Sequence, residues 1–298
     1  MKKLLLAATL IAASGSVTAQ QFYLDNGVDF GGVGLADDKV CATCTSLKDQ
    51  FGFTYNSVST ITDADMNGIT TGDAITTNAG YDGSTGTFFN GGLGTNYVNG
   101  FLPAETIGDS DNGYGPAGDW FITFGIKDWA GTVTVDGSGN VFPTYGTGLL
   151  EFYVTTDSGV TYNNFMDVNM TTGFVTGTGS LLSGTVDFTA VDAGFNNLFN
   201  VGGAGACGGL NGFFDIWSAC GPAGLDELDI DFTGHFDSDV DLSSFAPGPV
   251  ADTFVVSTDH DGSGRFAVPE PGTLSLLGLS LLGLGGFRMR KTSKKLAS

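Results

Sequence analysis

The chain has 298 residues and a formal net charge of −21, with 32 acidic against 11 basic residues. So negative a field repels phosphate backbones and excludes nucleic acid as a natural partner. Apolar residues make up 41% of the chain and 24 residues are Phe, too much core material for a disordered protein. The 48 Gly and 8 Pro are many, yet fewer than low-complexity sequence carries, so a folded, loop-rich body is expected. Between the two ends the only bases are Lys39, Lys48, Lys127 and Arg265. Among the acids only Glu105, Glu151, Glu227 and Glu270 are Glu. The rest are Asp, which suits turns and can ligate hard cations.

Lys2 and Lys3 open the chain, and an apolar run follows from Leu4 to Ala13. Small residues then lead to Val17-Thr18-Ala19. A basic start, a short apolar stretch and a small-residue cut site predict a signal peptide over 1–19, removed after passage through the Sec translocon. The run is too short for a spanning helix. Export places the four cysteines in an oxidising compartment, where disulfides persist. Local pairing, Cys41 with Cys44 and Cys207 with Cys220, is the first expectation, and pairing across the two groups the second. Zinc is disfavoured, because Cys207 and Cys220 form no second CxxC and neither His235 nor His260 has finger spacing.

Asp63-Ala64-Asp65-Met66-Asn67-Gly68 matches the opening of a calcium loop, with carboxylates at alternate positions and a Gly for the sharp turn. The twelfth position is Ala74 where a bidentate acid belongs, and the adjacent Asp73 is the substitute. Asp63, Asp65, Asn67 and Asp73 are therefore a weak Ca²⁺ candidate, and no other cofactor is expected. Asp259-His260-Asp261-Gly262 reads as a shorter version in a turn, with His260 solvated. The Gly-, Asn- and Thr-rich stretch 63–118 reads as long loops or a small second subdomain.

Further along, short stretches alternate with period two, as half-buried strands do. They are Val133 and Val135; Leu150, Phe152 and Val154; Val186, Phe188 and Ala190; and Leu228, Ile230 and Phe232. The continuous apolar runs Trp120 to Ile126 and Phe254 to Val256 suit strands covered on both faces. Many strands with turns between them predict a mainly β body over 20–267, an antiparallel β-sandwich with long Gly/Asp-rich loops. No G-x-S-x-G elbow or histidine motif points to catalysis, and nothing sets Glu151 or Glu227 apart from surface residues. Trp120, Trp129 and Trp217 read as core residues before they read as platforms for sugars. The body is not expected to be an enzyme.

The C-terminus reads Val268-Pro269-Glu270-Pro271-Gly272, then an uncharged Leu/Gly-rich stretch to Phe287, then bases from Arg288 to Lys295. As a helix, 273–287 spans about 22 Å, short of the roughly 30 Å hydrocarbon core. The prolines leave an extended, accessible peptide just before it, and the basic end marks the cytoplasmic side. This segment, 268–298, resembles the PEP-CTERM sorting domain of Gram-negative bacteria, with Val268, Pro269, Glu270 and Pro271 as the sorting motif. The resemblance implies exosortase as a partner, an inner-membrane intermediate held through the C-terminal helix, and delivery to the outer surface or extracellular matrix. It also implies exopolysaccharide nearby. The body is thus expected to be a structural or exopolysaccharide-interacting protein of a biofilm or floc. A secreted carbohydrate-active enzyme and a calcium-dependent adhesive module are the alternatives.

Overall fold

The computed structural model describes residues 21–31, 39–101, 111–115, 118–176, 179–202, 209–219, 230–236 and 244–268. The expected signal peptide, Cys207, Cys220, the Pro269-Glu270-Pro271 triplet and the C-terminal helix lie outside these residues. In chain order the strands are β1 (Phe22–Leu24), β2 (Phe51–Thr62), β3 (Ala74–Asp82), β4 (Thr87–Phe88), β5 (Tyr97–Asn99), β6 (Phe121–Val135) and β7 (Val141–Tyr145). They continue as β8 (Gly148–Thr155), β9 (Asn163–Thr176), β10 (Gly179–Asp187) and β11 (Phe199–Val201). A short helix α1 (Phe213–Ala219) precedes β12 (Asp231–Phe236), β13 (Ala246–Pro247) and β14 (Thr253–Ala267).

The body is mainly β and antiparallel, as expected, but its strands do not divide into two facing sheets. β2 pairs with β3, β3 with β6, and β6 with both β7 and β8. Those two together fill one position in the wall and both pair with β9. β9 pairs with β10, β10 with β12, and β12 with β14. β14 then pairs back onto β2, from Thr253 opposite Thr62 to Gly264 opposite Phe51. The sheet is a closed antiparallel ring in chain order, an up-and-down barrel. Alternation marks the buried face of a strand but not what it is buried against, so the pattern that predicted a sandwich serves a barrel equally well.

β2 shows how the wall is built. Its residues alternate without a break, with Phe51, Phe53, Tyr55, Ser57, Ser59 and Ile61 inward. Its outward positions, among them Thr54, Asn56 and Thr60, are only partly covered. β14 presents Ser257, Asp259 and Asp261 outward. A polar exterior and apolar interior suit a barrel in water, the reverse of a lipid-embedded one. Closing the ring also removes the exposed strand edges that invite aggregation.

Phenyl rings fill the end where β2 begins. Phe51 lies with its ring centroid 5.0 Å from Phe53, 6.0 Å from Phe152 and 5.4 Å from Phe266. Gly264, opposite Phe51, is required there: a Cβ would stand 2.7 Å from the Phe51 ring and 2.9 Å from Phe232. The β1–β11 pair and α1, contributed by the segments before β2 and between β10 and β12, stopper this end with Phe22, Phe199 and Phe213. Phe22 sits 5.9 Å from Phe51, and Phe213 sits 5.2 Å from Phe266. The opposite end is closed by a small aliphatic group, Ile61, Ile75, Val133 and Val141. Between the two lies a hydroxyl chain, Ser59 to Thr77 at 2.7 Å and Thr77 to Tyr145 at 2.7 Å.

Several sequence expectations change here. The stretch 63–118 is neither plain loop nor a subdomain, because β3 within it is a wall strand of the ring. His260 lies in the middle of β14, not in a turn, and is only partly exposed. It shares a 2.7 Å hydrogen bond between Nε2 and Ser57 Oγ and stacks on Tyr55 at 4.8 Å. The apolar run that ends at Ile126, apart from Trp120 itself, and the alternating stretch at Val133 belong to one 15-residue strand, β6, that turns its faces at Asp128 (φ 49°).

Candidate functional site

The loop joining β2 to β3 is built by Asp side chains. Asp63 directly follows β2 and is 4% exposed, and its carboxylate accepts N–H bonds from Asn67 (3.1 Å) and Gly68 (2.8 Å). The chain reverses through Met66 (φ 58°) and Gly68 (φ 88°), both left-handed. Asp73 closes the loop by accepting the Thr70 N–H at 2.7 Å. The result gathers carboxylate oxygens of Asp63, Asp65 and Asp73 within 4.8 Å of one another.

The crowding has an electrostatic signature. Burial pushes the Asp63 carboxyl up, but the N–H bonds from Gly68 and Asn67 outweigh it and hold it below the usual carboxylate range. Asp65 is pushed up, by burial, by a hydrogen bond to Asp63 and by the charges of Asp63 and Asp73. Three oxygen donors at this spacing are the hard, anionic set a calcium ion takes, though calcium asks for six to eight. Asn67, expected among the ligands, donates its amide to Asp65 at 2.7 Å and accepts the Thr70 hydroxyl on its Oδ1 at 3.4 Å. The structure brings Asp63, Asp65 and Asp73 together, with Asn67 bonded to Asp65.

Cys41 and Cys44 form a disulfide. Asp25 lies close to both sulfurs, but a disulfide offers no thiolate to zinc. The disulfide turn is tied to its surroundings. Thr43 Oγ1 donates to Asp25 Oδ1 at 2.7 Å, and the fully buried Asn112 donates to the Thr43 and Val28 carbonyls at 2.8 Å each.

One constellation escaped the sequence. On the outer wall Glu151, Asp167 and Asp187 stand directly opposite one another across β8, β9 and β10. Asp167 is buried and bonded by Asn164 at 2.8 Å, while Asn169 donates to Asp187 at 2.8 Å. Burial, with the Glu151 and Asp187 charges adding to it against the Asn164 bond, pushes the Asp167 carboxyl up to about 6. Tyr153 beside it is raised as well, first by burial and then by Glu151. Glu151 is thus no ordinary surface residue. Only the register reveals this, since the three acids are far apart in sequence with no motif around them. Trp120 and Trp129 are buried, at 0% and 5% exposure, so neither can stack on a sugar. Trp217 packs against Phe188 and Phe214.

Among the described residues no helix is long and apolar enough to cross a membrane. No curated protein matches the chain. Among solved structures, Ail, the attachment invasion locus protein of Yersinia pestis, aligns over 73% of this chain and 96% of its own at 10% identity. Its TM-score of 0.14 carries no argument about the fold. Residues 267–291 match the PEP-CTERM protein-sorting motif. The chain carries this motif in its C-terminal tail, and the motif implies an exported protein sorted through the membrane to the cell surface by exosortase.

Proposed function

We propose that this is a non-enzymatic matrix protein of a Gram-negative bacterium, a water-facing barrel released at the outer surface, where it associates with exopolysaccharide. The observation that carries this reading is the junction between barrel and tail. β14 ends at Ala267, Val268 is buried against the core, and the Pro269-Glu270-Pro271 triplet follows at once. A cut near the triplet frees a complete barrel and discards only the tail. The intact mass of the protein recovered from culture medium tests it. The expected product begins near Gln20, ends near the triplet and carries its disulfides. Recovery from the cytosol with both ends uncut would overturn it. Deletion of the coding sequence should alter floc or biofilm matrix; an unchanged matrix counts against the role. Turnover of a glycan by the recovered protein would replace this reading with a hydrolase.

A second reading, a calcium-dependent adhesive module, is favoured by the meeting of Asp63, Asp65 and Asp73. Calorimetry with calcium should then show heat in the native protein that Asp63→Ala and Asp65→Ala abolish. No heat in the native protein ends that reading.

A further inference from the structure

The Cys41–Cys44 bridge is lopsided and joins only near neighbours. Cys41 is exposed and Cys44 is 1% exposed, so a reagent arriving from solvent meets Cys41 first. The bridge spans a sequence separation of 3, the kind of loop whose closure constrains an unfolded chain least. Hydrogen bonds already close the same turn. The Cys44 N–H bonds the Cys41 carbonyl at 3.2 Å, and the Val40 N–H bonds the Thr45 carbonyl at 3.1 Å. Thr45 is tied to Leu24 twice, donating its N–H at 2.8 Å and accepting the Leu24 N–H on its hydroxyl at 2.9 Å. Asn112 holds the Thr43 carbonyl at 2.8 Å. Opened to two thiols, the pair stays in place to close again.

The side chains beside the bridge suit its open form. A carboxylate oxygen of Asp25 lies within 4.8 Å of both sulfurs. Thr43 Oγ1 donates its single proton to Asp25 at 2.7 Å and stands 3.3 Å from Cys41 Sγ, so it faces that sulfur with a lone pair. A disulfide sulfur has no proton to give, whereas a thiol does. The chain from the Cys41 S–H through Thr43 to Asp25 is therefore complete only when the bridge is open. Thiols of ordinary pKa are protonated at neutral pH, so each step of thiol–disulfide exchange has a proton to move. Near the turn Val40 is 45% exposed and Val28 49%, and the Asn112 amide binds the carbonyls of both Val28 and Thr43. Apolar contact beside the open sulfur favours a cysteine carried on a polypeptide. The acidic body repels a small anionic thiol.

We propose that Cys41 and Cys44 form a thiol–disulfide exchange site that oxidises a pair of cysteine thiols on another exported polypeptide. The partner's first thiol gives its proton to Asp25, and its sulfur bonds Cys41 Sγ as the Cys41–Cys44 bond breaks. The electron pair of that bond goes to Cys44 Sγ, which takes the proton from Asp25. The partner's second thiol then loses its proton to Asp25, and its sulfur attacks the first. Cys41 leaves with the electron pair and is protonated from Asp25 through Thr43. Two electrons have passed from the partner, now a disulfide, to the bridge, now two thiols. This activity goes beyond matrix association and does not rest on it.

The test mixes the protein, purified without reductant, with a reduced peptide that carries two cysteines in an apolar sequence. Mass spectrometry after an acid quench reads the products. The expected result is about one peptide disulfide per chain, with new thiols mapped to Cys41 and Cys44. A chain with both Cys41→Ala and Cys44→Ala should form none. Offered the oxidised peptide, Cys44→Ala should accumulate a mixed disulfide at Cys41, and Cys41→Ala about tenfold less, because Cys44 is buried. Asp25→Asn and Thr43→Val should each slow exchange about tenfold near pH 6 and match the native rate near pH 9, where thiols ionise unaided. If one of these variants fails to fold, the other carries the comparison. No peptide disulfide above the double variant, equal trapping by the two single variants, or a rate ratio that stays constant with pH overturns the proposal. Equal rates with a polar peptide of the same cysteine spacing overturn the apolar partner.

Discussion

The end of the barrel where β2 begins and the end where it finishes are closed by different chemistry. At the first, three inserted elements bring Phe22, Phe199 and Phe213 onto Phe51 and Phe266. At the second, four aliphatic side chains sit beneath tight Asp-bonded turns, the Asp63 loop among them. The Asp136 turn, whose carboxylate bonds the Ser138 and Asn140 N–H groups, is another. The ring-filled end is sealed by area and the other by hydrogen bonds, so the stability of the fold is weighted toward the end that holds the insertions. It also means that the crowded charge of the Asp63 loop is carried where little core depends on it.

That contrast can be broken at graded points. Phe51→Ala should cost about 3–5 kcal/mol in a denaturant titration, because a ring among seven others leaves a cavity that cannot collapse. Ile61→Ala at the far end should cost less, about 2 kcal/mol, since the turn above can settle; an equal loss would erase the asymmetry. Replacing both Cys41 and Cys44 by Ala closes no loop in the unfolded chain, and for so short a loop the loss is about 2 kcal/mol or less.

Asp167→Asn sharpens the picture of the wall. The Asp167 carboxyl is raised to about 6 in the fold and lies near 3.9 when unfolded, so the folded state holds the proton more tightly. Its charge therefore destabilises above pH 6, and wild-type stability should rise as pH falls from about 6 to 4. The Asn variant should be more stable than wild type at pH 8, by about 1 kcal/mol after allowing for screening, with the gap closing by pH 4. A constant gap would mean that packing and not charge is responsible. The smallest change is expected from Asp65→Asn in the exposed loop. Asp65 is also raised by its neighbours, so the variant should melt slightly higher at neutral pH and lose that advantage in acid.

What could be read from the sequence follows the range of the interaction involved. The sorting tail, the Cys41–Cys44 bridge and the Asp63 turn are contained in a few consecutive residues, and their spacing states their geometry. Leu150, Phe152 and Val154 in β8 also announce themselves by alternation. Closure does not, because the pairing of Phe254 with Ile61 joins residues nearly two hundred positions apart and leaves no local trace. β3 was hidden because its residues Thr76 to Gly80 have the composition of a loop, and only the partners on either side make it a strand. His260 follows the same pattern: its Asp and Gly neighbours suggest a turn, yet they face outward or leave room in a long strand. The carboxylates Glu151, Asp167 and Asp187 needed register, which no single strand contains.

The seam between β2 and β14 sets an order on the birth of this molecule. The last stave to be synthesised is the one that must zip against the first, and contacts so distant in sequence form slowly. Until that stave is in place, the remaining seven positions make an open, sticky ribbon with two bare rims. The sorting motif begins directly behind the final stave. A cut placed there leaves both sides of the seam on one product.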